Sequence, residues 1–252
     1  MIKIKTEEEL RFIRAACKAA AEVLKEVGKE VRPGITTLEL DALAERLLSS
    51  RGATPAFKGY RGYKHTTCIS VNFEVVHGIP GDKKIARGDI VGIDIGAVVS
   101  GFYGDVAETF EVEGTSKEAI RLLKVAKECL RLGIEKAIEG NHLGDISSAI
   151  ERNAKAAGYS VVRDLFGHGV GRALHEDPLI PNFGSPGEGP ELKAGMVLAI
   201  EPMVNAGRCE IETLADGWTV VTRDRSLSAH FEHTIAVTAG APEIMTSLRG
   251  LK

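Results

Sequence analysis

Pro33-Gly34-Ile35-Thr36-Thr37-Leu38-Glu39-Leu40 opens a stretch that closes at Gly52, and Gly140-Asn141-His142-Leu143-Gly144-Asp145-Ile146 opens one that closes at Gly158. In both, the bounding glycines stand 18 residues apart, and Glu45-Arg46 and Glu151-Arg152 fall in register at an offset of 106 (34 to 140). A repeat of that length implies a duplicated half-domain with pseudo-twofold symmetry, and not a solenoid of short units. Each stretch reads as a helix, starting near Thr36 and Asp145 and ended by its glycine. Each follows a longer amphipathic helix. The first begins at the N-cap Thr6, with Glu9 three residues on, and carries Leu10, Ile13, Cys17, Ala20, Leu24, Val27 and Val31 at helical spacing up to Pro33-Gly34. Its counterpart opens at Thr115-Ser116 and runs through Ile120, Leu123 and Ile134 to Gly140.

After each helix pair the sequence turns to strands: Ile90 to Ala97, Gly101 to Val112, Val197 to Ile200, Trp218 to Thr222 and Ala229 to Thr238. Helices covering one face of a curved, mainly antiparallel sheet accommodate this order, which makes the fold class α+β. No Pro-, Ser- or Gly-rich linker separates the halves. We therefore expect one domain over residues 1–252, with repeats at about 6–112 and 115–238.

The 252 residues carry 32 Lys and Arg against 35 Asp and Glu, a net charge of -3, without long runs of one sign. Nothing there recruits a phosphate backbone or an anionic lipid surface, so neither nucleic acid nor membrane is expected as the main ligand. Cys17, Cys68, Cys129 and Cys209 are scattered without a CxxC pair, which fits reduced thiols and a cytoplasmic protein. The N-terminus has no apolar signal core, and no stretch is apolar enough to span a bilayer.

Carboxylates stand inside apolar strands. Asp94 sits in Gly92-Ile93-Asp94-Ile95-Gly96, and Asp105 returns in Gly104-Asp105-Val106 across a turn at Ser100-Gly101, so the two are expected near each other on a hairpin. Such a pair must share a proton, meet cations or hold metal. Taken singly, either Asp reads equally well as a bulge or edge residue. The offset of 106 carries Asp94 to within one residue of Glu201, again at an apolar strand, and Glu232 adds a fourth acid in Phe231-Glu232-His233-Thr234. His168 lies between Gly167 and Gly169, which leave its ring unobstructed. Two Asp, two Glu and one His suit two divalent ions, whose charge four carboxylates balance.

The strings GIDIG, GDVAETF, GHGVGRALHEDP, AIEPM and FEHTIAVT, in this order, closely resemble the type I methionine aminopeptidases, and the likeness runs from the first helix to about Thr238. That resemblance implies the pita-bread fold and removal of N-terminal methionine from nascent polypeptides, preferentially before a small, uncharged second residue. It implies two divalent ions, with Co, Mn, Fe(II) and Zn all compatible with the ligands. Asp94 would chelate the first ion, Asp105 and Glu232 would bridge both, and His168 and Glu201 would complete the second. Water activated between the ions would attack the carbonyl, with Glu201 as the expected proton acceptor. His175 would stabilise the oxyanion, and His77 would touch the scissile amide or its neighbour. Tyr60, Tyr63, Cys68 and Trp218, with Phe57 nearby, would line the methionine pocket. Leu174 departs from the aromatic common before His175, and Phe57 from a smaller residue.

Proline-specific aminopeptidases and dipeptidases share the fold and five such ligands, but usually carry a large extra N-terminal domain, whereas this chain starts at the first pita-bread helix. A ribosome-associated binding protein with secondary activity is a further reading, yet no basic tail or zinc knuckle precedes Thr6. The expectation is a monomer with at most transient ribosome association.

Overall fold

A computed structural model describes residues 1–248. Four helices, α1 (Glu7–Gly28), α2 (Thr37–Ser50), α3 (Lys117–Glu135) and α4 (Leu143–Ala156), occur as two pairs. Thr6 and Thr36 each close a capping box, with Glu9 and Glu39 reaching back to the cap backbone. Helix α1 stops short of the expected end: the Lys29 N–H turns to the Val27 carbonyl, and Val31 packs on the core from the following turn. Helix α3 likewise ends at Glu135, before Gly140.

The strands are β1 (Thr54–Pro55), β2 (Thr67–Val71), β3 (Glu74–Val76), β4 (Ile90–Val99) and β5 (Phe102–Glu111) in the first part of the chain. The second part holds β6 (Ser160–Val161), β7 (Phe166–Gly169), β8 (Glu176–Pro181), β9 (Val197–Ile200) and β10 (Met203–Asn205). They are followed by β11 (Ile211–Thr213), β12 (Val220–Thr222), β13 (Ser228–His230), β14 (Glu232–Ala236) and β15 (Glu243–Ile244). The main sheet runs β1-β4-β5-β14-β9-β7-β8, with β2 also on β4 and β15 on β14, and its pairings are antiparallel. The long hairpin of the first part thus meets β14 and β9 of the second at the middle of the sheet. Strand β2 flanks β4 as β7 flanks β9.

Each helix pair has its own core. Leu24, Val27, Leu40 and Leu48 of α1 and α2 bury against Ile69, Ile93, Ile95 and Val106. Leu122, Ile146 and Ile150 of α3 and α4 bury with Leu198, Ile200, Phe231 and Ile235. Helix α1 comes so close to the sheet that a Cβ on Gly104 would lie 2.4 Å from the Cys17 backbone nitrogen.

One expectation is corrected. Residues 229–238 do not form a single strand, because the chain changes sheets at Phe231. His230 pairs with Met203 in a small three-stranded sheet, whereas Glu232 pairs with Ala107 in the main one. Strand β2, buried along its whole length, was not expected from the sequence because it has no polar alternation to show.

Candidate metal centre

Strand alternation places the carboxylates. Ile93 and Ile95 on either side of Asp94 are buried under α1 and α2, as is Val106 after Asp105, while Ile200 before Glu201 and Phe231 before Glu232 are buried in the α3–α4 core. With side chains alternating across the sheet, the four acids turn to the side away from those helices. The two-residue turn is Ser100-Gly101, with φ of 52° and 76°, and it sets the register. Asp94 stands opposite Ala107 and Asp105 opposite Gly96, so the aspartates are diagonal neighbours and not a facing pair. Glu232 also stands opposite Ala107, from the other side of β5, which brings it beside Asp105.

Donor atoms of Asp105, His168 and Glu232 lie within 4.8 Å of one another. His168 Nε2 is 3.5 Å from Glu201 Oε1. His168 Nδ1 is 3.0 Å from the Gly169 carbonyl, which can only accept. The ring proton therefore sits on Nδ1, and the Nε2 lone pair faces the acids, as a ligating imidazole requires. The glycines around it have a different purpose from the one expected. A Cβ on Gly167 would lie 2.4 Å from the Ala199 carbonyl oxygen, and one on Gly169 would lie 2.1 Å from that of Asp177. They let β7 close on its neighbours and do little to clear the imidazole itself.

Asp94 Oδ1 and Glu232 Oε1 are buried without a hydrogen-bond partner. Anionic oxygens in that position need protons or cations. Burial and the neighbouring acids push Asp94 and Glu232 well above the carboxylate range, and burial raises Glu201 to about 8 and Asp105 to about 6. The sign follows. These groups hold protons in the folded, ion-free chain that an unfolded chain releases above about pH 4, so ion-free stability falls as pH rises through the raised values. Divalent ions must displace the same protons. Calorimetric titration with Mn(II) in buffers of different ionisation enthalpy should show more protons released at pH 6 than at pH 9, and equal release at both would contradict this electrostatic picture.

Residues expected to touch substrate gather next to the acids. His175, open to solvent on one side, is hydrogen-bonded through Nδ1 to the Tyr60 hydroxyl (2.8 Å), and its ring centroid is 4.2 Å from that of His168. Partial burial, then the charges of His168, Arg61 and His77, lower its pKa to about 3. His77, with a left-handed φ of 58°, stands edge-on to Trp218 at 6.4 Å, and burial lowers it to about 4. Tyr63, Cys68, Phe57, Leu174 and Ala56 form one buried cluster, with Tyr60 and Trp218 packed on it. Cys68 stands opposite Asp94 across β2 and β4, so this cluster adjoins the acids directly. The Tyr63 hydroxyl donates within the protein, to the Thr67 carbonyl at 2.9 Å. Tyr63 therefore presents its ring to the cluster while its oxygen is bound within the protein. Leu174 and Phe57, the departures from the usual pattern, both lie in this cluster.

Two residues of the site escaped the sequence reading. Thr234 clamps the backbone of Asp105, its Oγ1 donating to the Asp105 carbonyl (2.7 Å) and accepting from its N–H (3.2 Å). His230, buried, has its Nε2 3.6 Å from Glu201 Oε2. The signal for both was present, since each lies two residues from Glu232, but it depended on strand ends the sequence did not define.

Residues 11–239 match the profile of metallopeptidase family M24. The chain is 52% identical over 249 residues to a methionine aminopeptidase of Clostridium perfringens, covering 99% of this chain and 100% of that protein. It is 50% identical to methionine aminopeptidase 1 of Bacillus subtilis, covering 98% and 99%. The structure superposes on the methionine aminopeptidase of Thermotoga maritima with a TM-score of 0.96 at 48% identity, covering 98% of this chain and 100% of that one. It superposes on a prolidase from Pyrococcus furiosus with a TM-score of 0.80 at 27% identity, over 98% of this chain but 66% of that one.

Proposed function

The chain belongs to metallopeptidase family M24, and from that premise we propose that Asp94, Asp105, His168, Glu201 and Glu232 hold two divalent ions beside a methionine pocket. The fold is the pita-bread α+β fold, and the activity is metal-dependent removal of N-terminal methionine from polypeptides. The observation that carries the ligand assignment is the pair of buried, partnerless oxygens, Asp94 Oδ1 and Glu232 Oε1, together with the free lone pair of His168, whose donor atom clusters with those of Asp105 and Glu232. Oxygen donors with one imidazole nitrogen fit Mn(II), Fe(II), Co(II) or Zn(II). When bound, such ions supply Lewis-acid polarisation of the peptide carbonyl and an activated water.

The chain's own groups do the rest. Asp105 and Glu232, adjacent across β5 and β14, would hold both ions, Asp94 would hold the first, and His168 with Glu201 would hold the second. Glu201, beside His168, would accept the proton of the attacking water. His175, neutral and steadied by Tyr60, donates from Nε2 to the carbonyl oxygen as that atom gains charge. His77 contacts the scissile nitrogen. The Tyr60, Tyr63, Cys68 and Trp218 wall takes the methionine thioether, a polarizable group that packs well on aromatic edges.

The whole length then acts as one catalytic domain with duplicated halves. Its substrates are nascent chains in the cytoplasm, with a small, uncharged second residue preferred. It works as a monomer, and any ribosome contact is transient. Among the described residues no helix is long and apolar enough to cross a membrane.

The test is substrate choice. After chelation and reloading with each metal in turn, the protein should hydrolyse Met-Ala-Ser at least about a hundredfold faster than Ala-Pro peptides, a preference of about 2.7 kcal/mol in transition-state binding. Equal rates would favour a proline-directed reading.

A further inference from the structure

Glu201 lies between two imidazoles, and only one of them has a role so far. His168 Nε2 is 3.5 Å from Oε1, and His230 Nε2 is 3.6 Å from Oε2. His230 is 4% exposed, and its Nε2 is one of four buried side-chain polar atoms without a hydrogen-bond partner among the described residues. Two of the other three, Asp94 Oδ1 and Glu232 Oε1, belong to the same cluster of acids. The ring is held from behind. The His230 N–H donates to Thr109 Oγ1 at 3.0 Å, and Thr109 Oγ1 donates to the His230 carbonyl at 2.7 Å, so this backbone is pinned to β5.

The two histidines are not equivalent. Each faces a different oxygen of one carboxylate, and His168, unlike His230, belongs to a cluster with donor atoms of Asp105 and Glu232 that could close on one ion. A group facing the outer oxygen of a ligating carboxylate is instead placed to orient it.

We propose that His230 is a positioning residue: its Nε2–H donates to Glu201 Oε2 and fixes the carboxylate so that Oε1, beside His168, is presented to the second ion. The proposal rests on the metal-site reading above. A buried neutral imidazole facing a carboxylate keeps its proton on the nitrogen that faces it, so the donor needs no charge on the ring. Contraction from 3.6 Å to an ordinary hydrogen bond needs a shift of about 0.5 Å, well within side-chain relaxation as an ion draws Glu201 in.

The test follows uptake of Co(II) by calorimetry on the chelated full-length chain, together with steady-state kinetics. His230→Ala should weaken binding of the second equivalent by about tenfold to a hundredfold, the usual cost of losing an outer hydrogen bond to a ligand, and lower kcat with little change in KM. His230→Gln, whose amide N–H can reach the same oxygen, should recover most of both. X-ray absorption on the wild-type, fully loaded protein should find imidazole scattering equivalent to His168 alone, a measurement that does not depend on how well either variant folds. Ala behaving as wild type, Gln failing as fully as Ala, or two imidazoles in the absorption spectrum would each overturn the positioning role while leaving two bound ions intact. A wild-type chain that takes up no Co(II) would instead overturn the metal-site reading on which it rests.

Discussion

Asp105→Ala and Glu232→Ala are each expected to lower kcat/KM by about a thousandfold or more, on the scale of removing a group that acts in the transition state and also holds the metal. Exhaustive chelation of the wild-type protein should do the same. The reason is positional. Glu232 and Asp105 lie on adjacent strands at the centre of the sheet, 2% and 4% exposed, so each deletion leaves a gap among buried acids. Each alanine also removes part of the negative charge that would balance the ions. No Ser or Cys nucleophile elbow offers a second route to hydrolysis. Metal content and kinetics on the same samples decide the matter: near wild-type turnover with normal metal in either variant would remove it from the ligand set, and full turnover by a rigorously chelated wild-type sample would sink the mechanism.

His168→Ala and His175→Ala should separate binding from chemistry. The His168 ring is buried with Nδ1 committed to the Gly169 carbonyl, and its only free nitrogen faces the acids. Its loss should empty the second site. His175 is exposed and bound to Tyr60 through Nδ1, with Nε2 left to meet a substrate oxygen. Its alanine variant should keep near-normal metal while kcat falls about a hundredfold, the scale of one lost oxyanion donor. A His175 variant that loses its ions while the His168 variant keeps them would reverse the two roles.

Much of this site was legible before the fold. Capping boxes at Thr6 and Thr36 marked helix starts because they are local, closing within four residues. The Asp94 and Asp105 hairpin was legible because alternating burial and the Ser100-Gly101 turn fix a register, which sets the two aspartates near each other as diagonal neighbours. What stayed hidden depends on distant pairing. The break at Phe231 arises because His230 finds Met203 and Glu232 finds Ala107, partners 27 and 125 residues away, and no local pattern announces either. His230 therefore could not be assigned to the side of Glu201 from sequence. Helices α1 and α3 ended early for a related reason, since apolar spacing continues into turns that still pack on the core.

Within the main sheet, the join between the two parts of the chain is short. Strands β4 and β5 run together for ten residue pairs, but β5 meets β14 through only two, Glu232 with Ala107 and His233 with Val106. The four acids and His168 straddle that join, with Asp94 and Asp105 on one bank and His168, Glu201 and Glu232 on the other. Ions held as proposed would act there as a clasp, adding their binding free energy to the joined state and nothing to a parted one, so the occupancy that readies the catalyst would also add to the cohesion of the sheet.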